Sequence, residues 1–454
     1  MSQLNARDTA LKILLRVNEQ DGYSNLVLNS ILKETNLSVK DKAFAVNLVY
    51  GVLERQITLD YVAASHANRR WSEIEPIVRN ALRLGAYQLI YMDKVPPSAA
   101  INETVNCVKK AGAEFAAGFV NAVLHAIDRD GLQIILPPQK NWKTYLGMKY
   151  SAPQWLVRLW ANAYGRECCE QLLQESFGRP PLTIRVNPLK TTLQSLIEEL
   201  ALEGVSAQVN PTVPGALDLT ATGSLEQLTA FQKGLFHVQD AASQMLCYAF
   251  GAQPGESIAD VCSAPGGKAF TIAENLNQSG SVDAFDLYPA RVQLIHDGAT
   301  RLGLQNLQAA VRDACTPDYK KDCEKKYHRV LCDVPCSGLG ILRRKPEIRL
   351  KSPETLDNLP SVQYCILVQS SLLVQPGGVL FYSTCTLNPA ENGQVVTRFL
   401  QENPGFTPVP LSLPAAVGHA IDEPENQITL MPQVHHTDGF FFAAFRKEFP
   451  SENG

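Results

Sequence analysis

The sequence predicts a multidomain fold. An all-α helical bundle is expected over 1–140, a small α+β module over 141–234, and an α/β domain over 235–454. Three observations predict it. Apolar residues in the first 130 positions recur at helical spacing. A short strand, LTIRVNPLK, then lies between two helical patterns and ends at Asn187-Pro188. From Phe236 onward, short apolar runs alternate with helical patterns, as in a doubly wound parallel sheet. A length of 454 residues suits three domains at ~150 residues each.

In the bundle, Leu11, Leu14, Leu15 and Val17 begin an amphipathic pattern that Val46, Val49, Tyr50 and Leu53 repeat. Leu82, Ala86 and Leu89 repeat it again. Asp41 and Lys42 open one helix, and Pro96-Pro97 stops another. The stretch LPPQKNW reads as a linker. Trp155, Leu156, Leu159, Trp160 and Tyr164 form a further helical face, and Leu193 to Leu202 a helix within the α+β module. In the last domain, strands are expected at Ile258–Val261, Ser281–Asp286, Leu307–Arg312, Arg329–Val334 and Val379–Ser383. Pro289 stands at the favoured first position of a helix. Ligands in this architecture sit at the carboxyl ends of the strands.

Lys plus Arg is 41 and Asp plus Glu is 45, a net charge of −4 that excludes a wholly basic nucleic-acid coat. Nucleic-acid contact must come from clustered residues. The eleven cysteines include no C-x-x-C pair, so neither a zinc ribbon nor any other metal is expected. The N-terminal MSQLNARDTA is too polar for a secretory signal, and no apolar run approaches the ~18 residues of a membrane span. A cytoplasmic, reduced monomer with free thiols and no membrane partner is expected.

The first strand of the last domain runs into Cys262-Ser263-Ala264-Pro265-Gly266-Gly267-Lys268. Glycines there let backbone approach a ligand and aim helix N–H groups at it. A P-loop would need Gly at 262 and Ser or Thr at 269, which are Cys and Ala. Asp286 ends the next strand, where a carboxylate can accept both hydroxyls of a ribose. The fourth strand ends in Asp333-Val334-Pro335-Cys336 and the fifth in Ser383-Thr384-Cys385. A lone intracellular cysteine is most simply a small buried hydrophobe, the reading taken for Cys107, Cys168, Cys169, Cys247, Cys315, Cys323, Cys332 and Cys365. Two thiols at adjacent strand ends, one within Asp-x-Pro-Cys, ask for more. Cytosine C5 is a poor nucleophile until a thiolate adds to C6. Such a site needs a nucleophilic cysteine, a carboxyl group near the ring, and a means of removing the C5 proton.

CSAPGGK, Asp286, DVPCSG and STCT followed by NPAEN closely resemble the RNA cytosine-C5 methyltransferases over about residues 235–448. The resemblance implies a class I, Rossmann-like domain using S-adenosyl-L-methionine. It implies Cys385 as nucleophile, Cys336 in product release, and Asp333 orienting the base at N3. It also implies cofactor contacts from Cys262, Ser263, Ala264, Pro265, Gly266, Gly267, Lys268, Asp286, Asp313 and Asp333. Ser263, Ala269 and Val334 depart from the usual Ala, Thr and Ala, and none of them removes a reactive group. The N-terminal helices resemble a NusB-type RNA-binding bundle. Together the parts resemble the RsmB (Fmu/Sun) family, which implies methylation of a cytosine of small-subunit (16S) ribosomal RNA. Its C6 is attacked from above the ring, so the base must leave its stack.

Arg343, Arg344, Lys345 and Arg349 lie in a basic run after the Asp333 motif and are expected to hold RNA phosphates. A solvated face is the plain reading of Lys320, Lys321, Lys325 and Lys326, which acids interrupt. His435-His436 is given no role. Two rivals are a transfer-RNA cytosine-C5 methyltransferase and a non-catalytic RNA-binding assembly factor. A binding module has no need of either thiol.

Overall fold

The computed structural model describes residues 4–19, 24–132, 134–220, 223–316, 326–414, 417–418 and 420–449. Lys320, Lys321, Lys325 and Cys323 lie outside them. The chain forms two compact units, one of residues 1–178 with 342–351 and one of residues 179–341 with 352–454.

The first unit is helical: α1 (Ala6–Glu19), α2 (Ser24–Lys33), α3 (Val39–His66), α4 (Pro76–Tyr91), α5 (Pro97–Lys110), α6 (Ala117–Arg129), α7 (Trp142–Lys149) and α8 (Gln154–Glu175). Ser38 caps α3 by accepting from the Asp41 amide, which places the helix start before Asp41. Pro97 opens α5 at its first position, so the proline pair starts a helix instead of stopping one. Helix α8 is broken at Gly165, where φ is 81°. Leu48, Val52, Leu59, Leu82, Val120 and Leu124 are fully buried at the centre. Gly51 lets α3 meet α4 closely, since a Cβ there would lie 2.0 Å from the Tyr87 ring. Residues 142–178, part of the stretch 141–234 read from the sequence as the α+β module, pack on the helices, where Thr58 Oγ1 donates to Met148 O and Ser151 Oγ accepts from the Ile57 amide.

Residues 342–351 also belong to this unit, and this corrects one expectation. Arg349 is 1% exposed. Its guanidinium donates to Glu54 O at 3.1 Å and Ser176 O at 2.9 Å and lies over the Phe177 ring. Burial lowers its pKa to about 10, against the attraction of Glu54. Glu347 accepts from the amide and hydroxyl of Ser24. Arg349 is therefore a structural staple with no face for a phosphate. Arg343, Arg344 and Lys345 are half-buried.

The second unit begins with an antiparallel sheet of β1 (Leu182–Val186), β2 (Ser206–Val209), β3 (Ala216–Thr220) and β4 (Phe236–Val238), in the order β2-β3-β1-β4. Helix α9 (Leu193–Leu202) supplies Leu196 and Leu200 to its core, against Ile184, Leu217 and Phe236. A larger sheet follows: β5 (Ser257–Asp260), β6 (Ser281–Asp286), β7 (Leu307–Val311), β8 (Tyr327–Asp333), β9 (Val374–Thr384), β10 (Phe406–Pro408), β11 (Gln427–Leu430) and β12 (Phe440–Lys447). Its order is β10-β12-β9-β8-β5-β6-β7, with β11 on β12. Strands β5 to β9 pair in parallel, while β12 runs antiparallel to β9 in the register Phe442 with Ser383. The sheet is thus mixed, where the sequence predicted a parallel one. The order reverses between β5 and β8, and in sheets of this kind ligands bind at the carboxyl ends of the strands beside such a switch point.

Candidate active site

Strand β5 delivers Asp260 and then the turn from Cys262 to Gly267, where the helix Gly267–Asn275 begins with free N–H groups. Gly266 has φ 108°, and a Cβ there would lie 2.3 Å from the Phe270 ring. Only glycine allows this turn. The Ser263 amide donates to Phe285 O at 2.8 Å, pinning the turn to β6. Asp286, 3% exposed, accepts from the Ala264 amide at 3.2 Å and pairs with Arg291 at 3.3 Å. Arg291 in turn donates to Ala264 O. Asp313 is exposed just past β7 and accepts from the Cys315 amide and the Thr316 hydroxyl.

Lys268 turns toward β8. Its Nζ lies 2.7 Å from Asp333 Oδ2, and Ser383 Oγ donates to Asp333 Oδ1 at 2.8 Å. Burial opposes charge on Lys268, but the Asp333 carboxylate outweighs it and raises the pKa. The sequence reading put Lys268 with the cofactor turn alone, and the structure adds this ion pair. Cys336 Sγ and Cys385 Sγ are 3.3 Å apart, which brings the two strand-end thiols together. The Cys336 pKa is raised, first by the hydrogen bond with Cys385 and then by burial. Cys107, Cys169, Cys247 and Cys332 are buried, as expected of small hydrophobes, while Cys168, Cys315 and Cys365 are half-exposed.

Asp260 was read only as part of a strand. It is 1% exposed, and its carboxylate oxygens make no hydrogen bond of ordinary geometry among the described residues, with the Ser263 hydroxyl and the Cys262 amide close by. Burial first, and then Asp333, push its carboxyl up to about 7. Ser263 Oγ is buried too and, apart from its approach to Asp260, makes no hydrogen bond of ordinary geometry among the described residues. Native proteins seldom leave such groups orphaned, and a polar ligand would satisfy them. The position of Asp260, the last residue of β5, was the available signal. The orphaned oxygens, the glycine turn and the helix N-terminus fit S-adenosyl-L-methionine, whose methionine end carries an ammonium and a carboxylate. Among the described residues, no cluster of His, Cys, Asp and Glu could hold a metal, and no helix is long and apolar enough to cross a membrane. His435 is buried, its ring accepting from the Met431 amide.

Three family models match in chain order. The NusB family matches 4–129, the RsmF/B-like ferredoxin-like domain 152–226, and the 16S rRNA methyltransferase RsmB/F family 247–446. The "Probable ribosomal RNA small subunit methyltransferase B" of Bacillus subtilis (strain 168) is 36% identical over 99% of this chain and 100% of its own length. Ribosomal RNA small subunit methyltransferase B of Pasteurella multocida is 30% identical over 98% of this chain and 96% of its own. The crystal structure of PH0851 superposes with a TM-score of 0.82 at 26% identity, covering 98% of this chain and 99% of that one. The chain therefore belongs to the RsmB/F family of 16S ribosomal RNA methyltransferases, which use S-adenosyl-L-methionine.

Proposed function

We propose that this enzyme methylates C5 of a cytosine in 16S ribosomal RNA through a covalent adduct between Cys385 and C6. The observation that carries the reading is the 3.3 Å approach of the two thiols, beside an Asp333 already held by Lys268 and Ser383. Cys336, with its raised pKa, keeps its proton and can donate it to Cys385 Sγ. Cys385 is then the sulfur that attacks. Its electron pair forms the S–C6 bond, and the C5=C6 pair shifts into the ring toward N3 and O2. The Asp333 carboxylate can accept a hydrogen bond from the base's amino group and so orient the ring, and the Lys268 ammonium beside it offsets the negative charge that develops at N3 and O2. S-adenosyl-L-methionine supplies the electrophilic methyl group that C5 takes.

Once Cys385 is a thioether, the leading cause of the Cys336 shift is gone. Burial and the Glu391 charge still favour the thiol, so Cys336 serves as base for the C5 proton only after giving its own proton to solvent. The C–H electrons restore C5=C6, and the S–C6 bond breaks with its pair returning to Cys385. Asp260, Ser263, the Cys262–Gly267 turn and Asp286 hold the cofactor, with Asp313 at its outer edge. Arg343, Arg344 and Lys345 contribute phosphate contacts. Bisulfite sequencing of 16S and transfer RNA, with and without the protein, tests the reading. One protected cytosine in 16S RNA that disappears without the enzyme is expected. Protection only in transfer RNA, or in neither RNA, would overturn it.

A further inference from the structure

We propose that the adjacent pair Glu391-Asn392 is a positioning device that fixes Cys336 against Cys385, with Glu391 holding the backbone around Cys336 and Asn392 the backbone around Cys385. This rests on the two-thiol reading above.

Glu391 is fully buried, and its two oxygens accept four hydrogen bonds. The Ser337 amide donates to Oε2 at 2.9 Å and the Ser337 hydroxyl to Oε1 at 2.6 Å. Asn388 Nδ2 donates to Oε1 at 2.9 Å and Gln363 Nε2 to Oε2 at 2.8 Å. Gln363 Nε2 also donates to Pro335 O at 3.0 Å. The backbone is thus held on both sides of Cys336, directly at Ser337 and through Gln363 at Pro335.

The next residue repeats the arrangement on the other strand. Thr384 Oγ1 donates to Asn392 Oδ1 at 2.6 Å, and Asn392 Nδ2 donates to Thr386 O at 2.9 Å. Thr384 and Thr386 flank Cys385. Two bonds then join the loops directly: the Thr386 hydroxyl donates to Ser337 Oγ at 2.7 Å, and the Gly340 amide donates to Cys385 O at 3.0 Å. Gly340 packs so closely on Gly439 that a Cβ there would lie 2.0 Å from Gly439 O. The Tyr382 hydroxyl donates to Glu391 O, tying the device to β9 itself.

Neither Glu391 nor Asn392 touches a thiol in this network; Asn392 acts through backbone, and Glu391 acts through backbone and also through its charge, which helps raise the Cys336 pKa. A buried, fully satisfied polar network of this kind is rigid. Glu391→Gln keeps the shape but turns one acceptor into a donor that faces donors. Ser337→Ala removes two bonds, those of the hydroxyl to Glu391 Oε1 and Thr386 Oγ1, and leaves the amide bond and the others, as a milder variant.

The test compares four enzymes on 16S RNA: wild type, Cys336→Ala, Glu391→Gln and the double variant Cys336→Ala/Glu391→Gln, with Ser337→Ala beside them. Glu391→Gln should bind cofactor within about 2-fold of wild type and keep its KM for RNA, while kcat falls roughly 10- to 100-fold. Protein–RNA adduct should accumulate on a denaturing gel, as for Cys336→Ala. The double variant should be no slower than Cys336→Ala alone, because both act on one step. Ser337→Ala should show the same pattern more weakly, and it carries the test should Glu391→Gln not fold. Wild-type turnover by the folded variants, or additive loss in the double variant, would overturn the positioning role. Should Cys336→Ala itself turn over normally without trapped adduct, the two-thiol reading falls, and this inference with it.

Discussion

Asp260→Asn should make the cofactor-free enzyme more stable at alkaline pH and a worse binder of S-adenosyl-L-methionine. Asp260 is 1% exposed, and its oxygens make no hydrogen bond of ordinary geometry among the described residues. Its carboxyl rises from 3.8 to about 7, through burial first and the neighbouring Asp333 next, with Lys268 opposing. A group whose folded-state pKa is raised contributes stability that is fully present below its unfolded value and lost as pH climbs through the folded value. The window here is pH 3.8 to about 7. At about 1.4 kcal/mol per pH unit, the loss reaches a ceiling of about 4 kcal/mol above neutrality. Asparagine carries no charge and avoids that loss. The variant should therefore match wild type near pH 4 and exceed it at pH 8. For a unit of this size, each kcal/mol moves the transition by about 2–4 °C. The same change removes a charged acceptor for the cofactor ammonium, which should weaken binding at least about 10-fold. Melting curves from pH 4 to 8 without cofactor, and calorimetry with it, read the two effects. Parallel melting profiles for the two proteins, with equal cofactor affinity, would refute the reasoning.

Asp286→Ala should weaken cofactor binding by at least ~1.5 kcal/mol, since it loses the charged acceptor and frees the Ala264 amide. Unchanged affinity in calorimetry would sink that placement. Arg343→Ala with Arg344→Ala should flatten the salt dependence of RNA binding by about 0.7 in slope per lost single-strand contact. Arg349→Ala should instead destabilise the helical unit by about 2–3 kcal/mol, because it leaves the carbonyls of Glu54 and Ser176 unpaired, and a melting experiment separates the two outcomes. A chain starting at Lys140 should still bind cofactor. It should lose methyl transfer, because the partners Ser24 and Glu54 that hold residues 342–351 are gone. Normal kcat and KM on RNA in that shortened chain would contradict this.

The legible parts of the molecule were those written in local sequence. Asp286, Asp333, Cys336 and Cys385 each end a strand or follow one closely, and short apolar runs marked those strands. The pairing of Cys336 with Cys385 followed from placing two such ends at one sheet edge. What stayed hidden depends on contacts distant in the chain. Arg349 sits in a basic run that reads as solvated or RNA-bound, yet its acceptors lie in α3 and just after α8. Strand β12 is the continuous apolar run FFFAAF, which has no alternation to mark its direction, so the antiparallel edge was not foreseen. Gly165 breaks a pattern that periodicity alone would carry through. Lys268 was visible within the turn, but only the fold shows that it reaches Asp333. Glu391 and Asn392 stood in a recognised motif whose task becomes visible only when their partners, Ser337 and Thr384, are in place.

The two thiols give the most direct test of the account. Cys385→Ala and Cys336→Ala, each incubated with 16S RNA and S-adenosyl-L-methionine, should be run on a denaturing gel beside wild type with 5-fluorocytosine RNA, whose fluorine cannot leave as a proton does. Cys385→Ala should form no adduct and transfer no methyl group. Cys336→Ala should accumulate a methylated protein–RNA adduct, and wild type should be trapped by the fluorinated base. An adduct that survives Cys385→Ala and vanishes in Cys336→Ala would reverse the assignment, and equal behaviour of both variants with wild type would contradict the covalent mechanism itself.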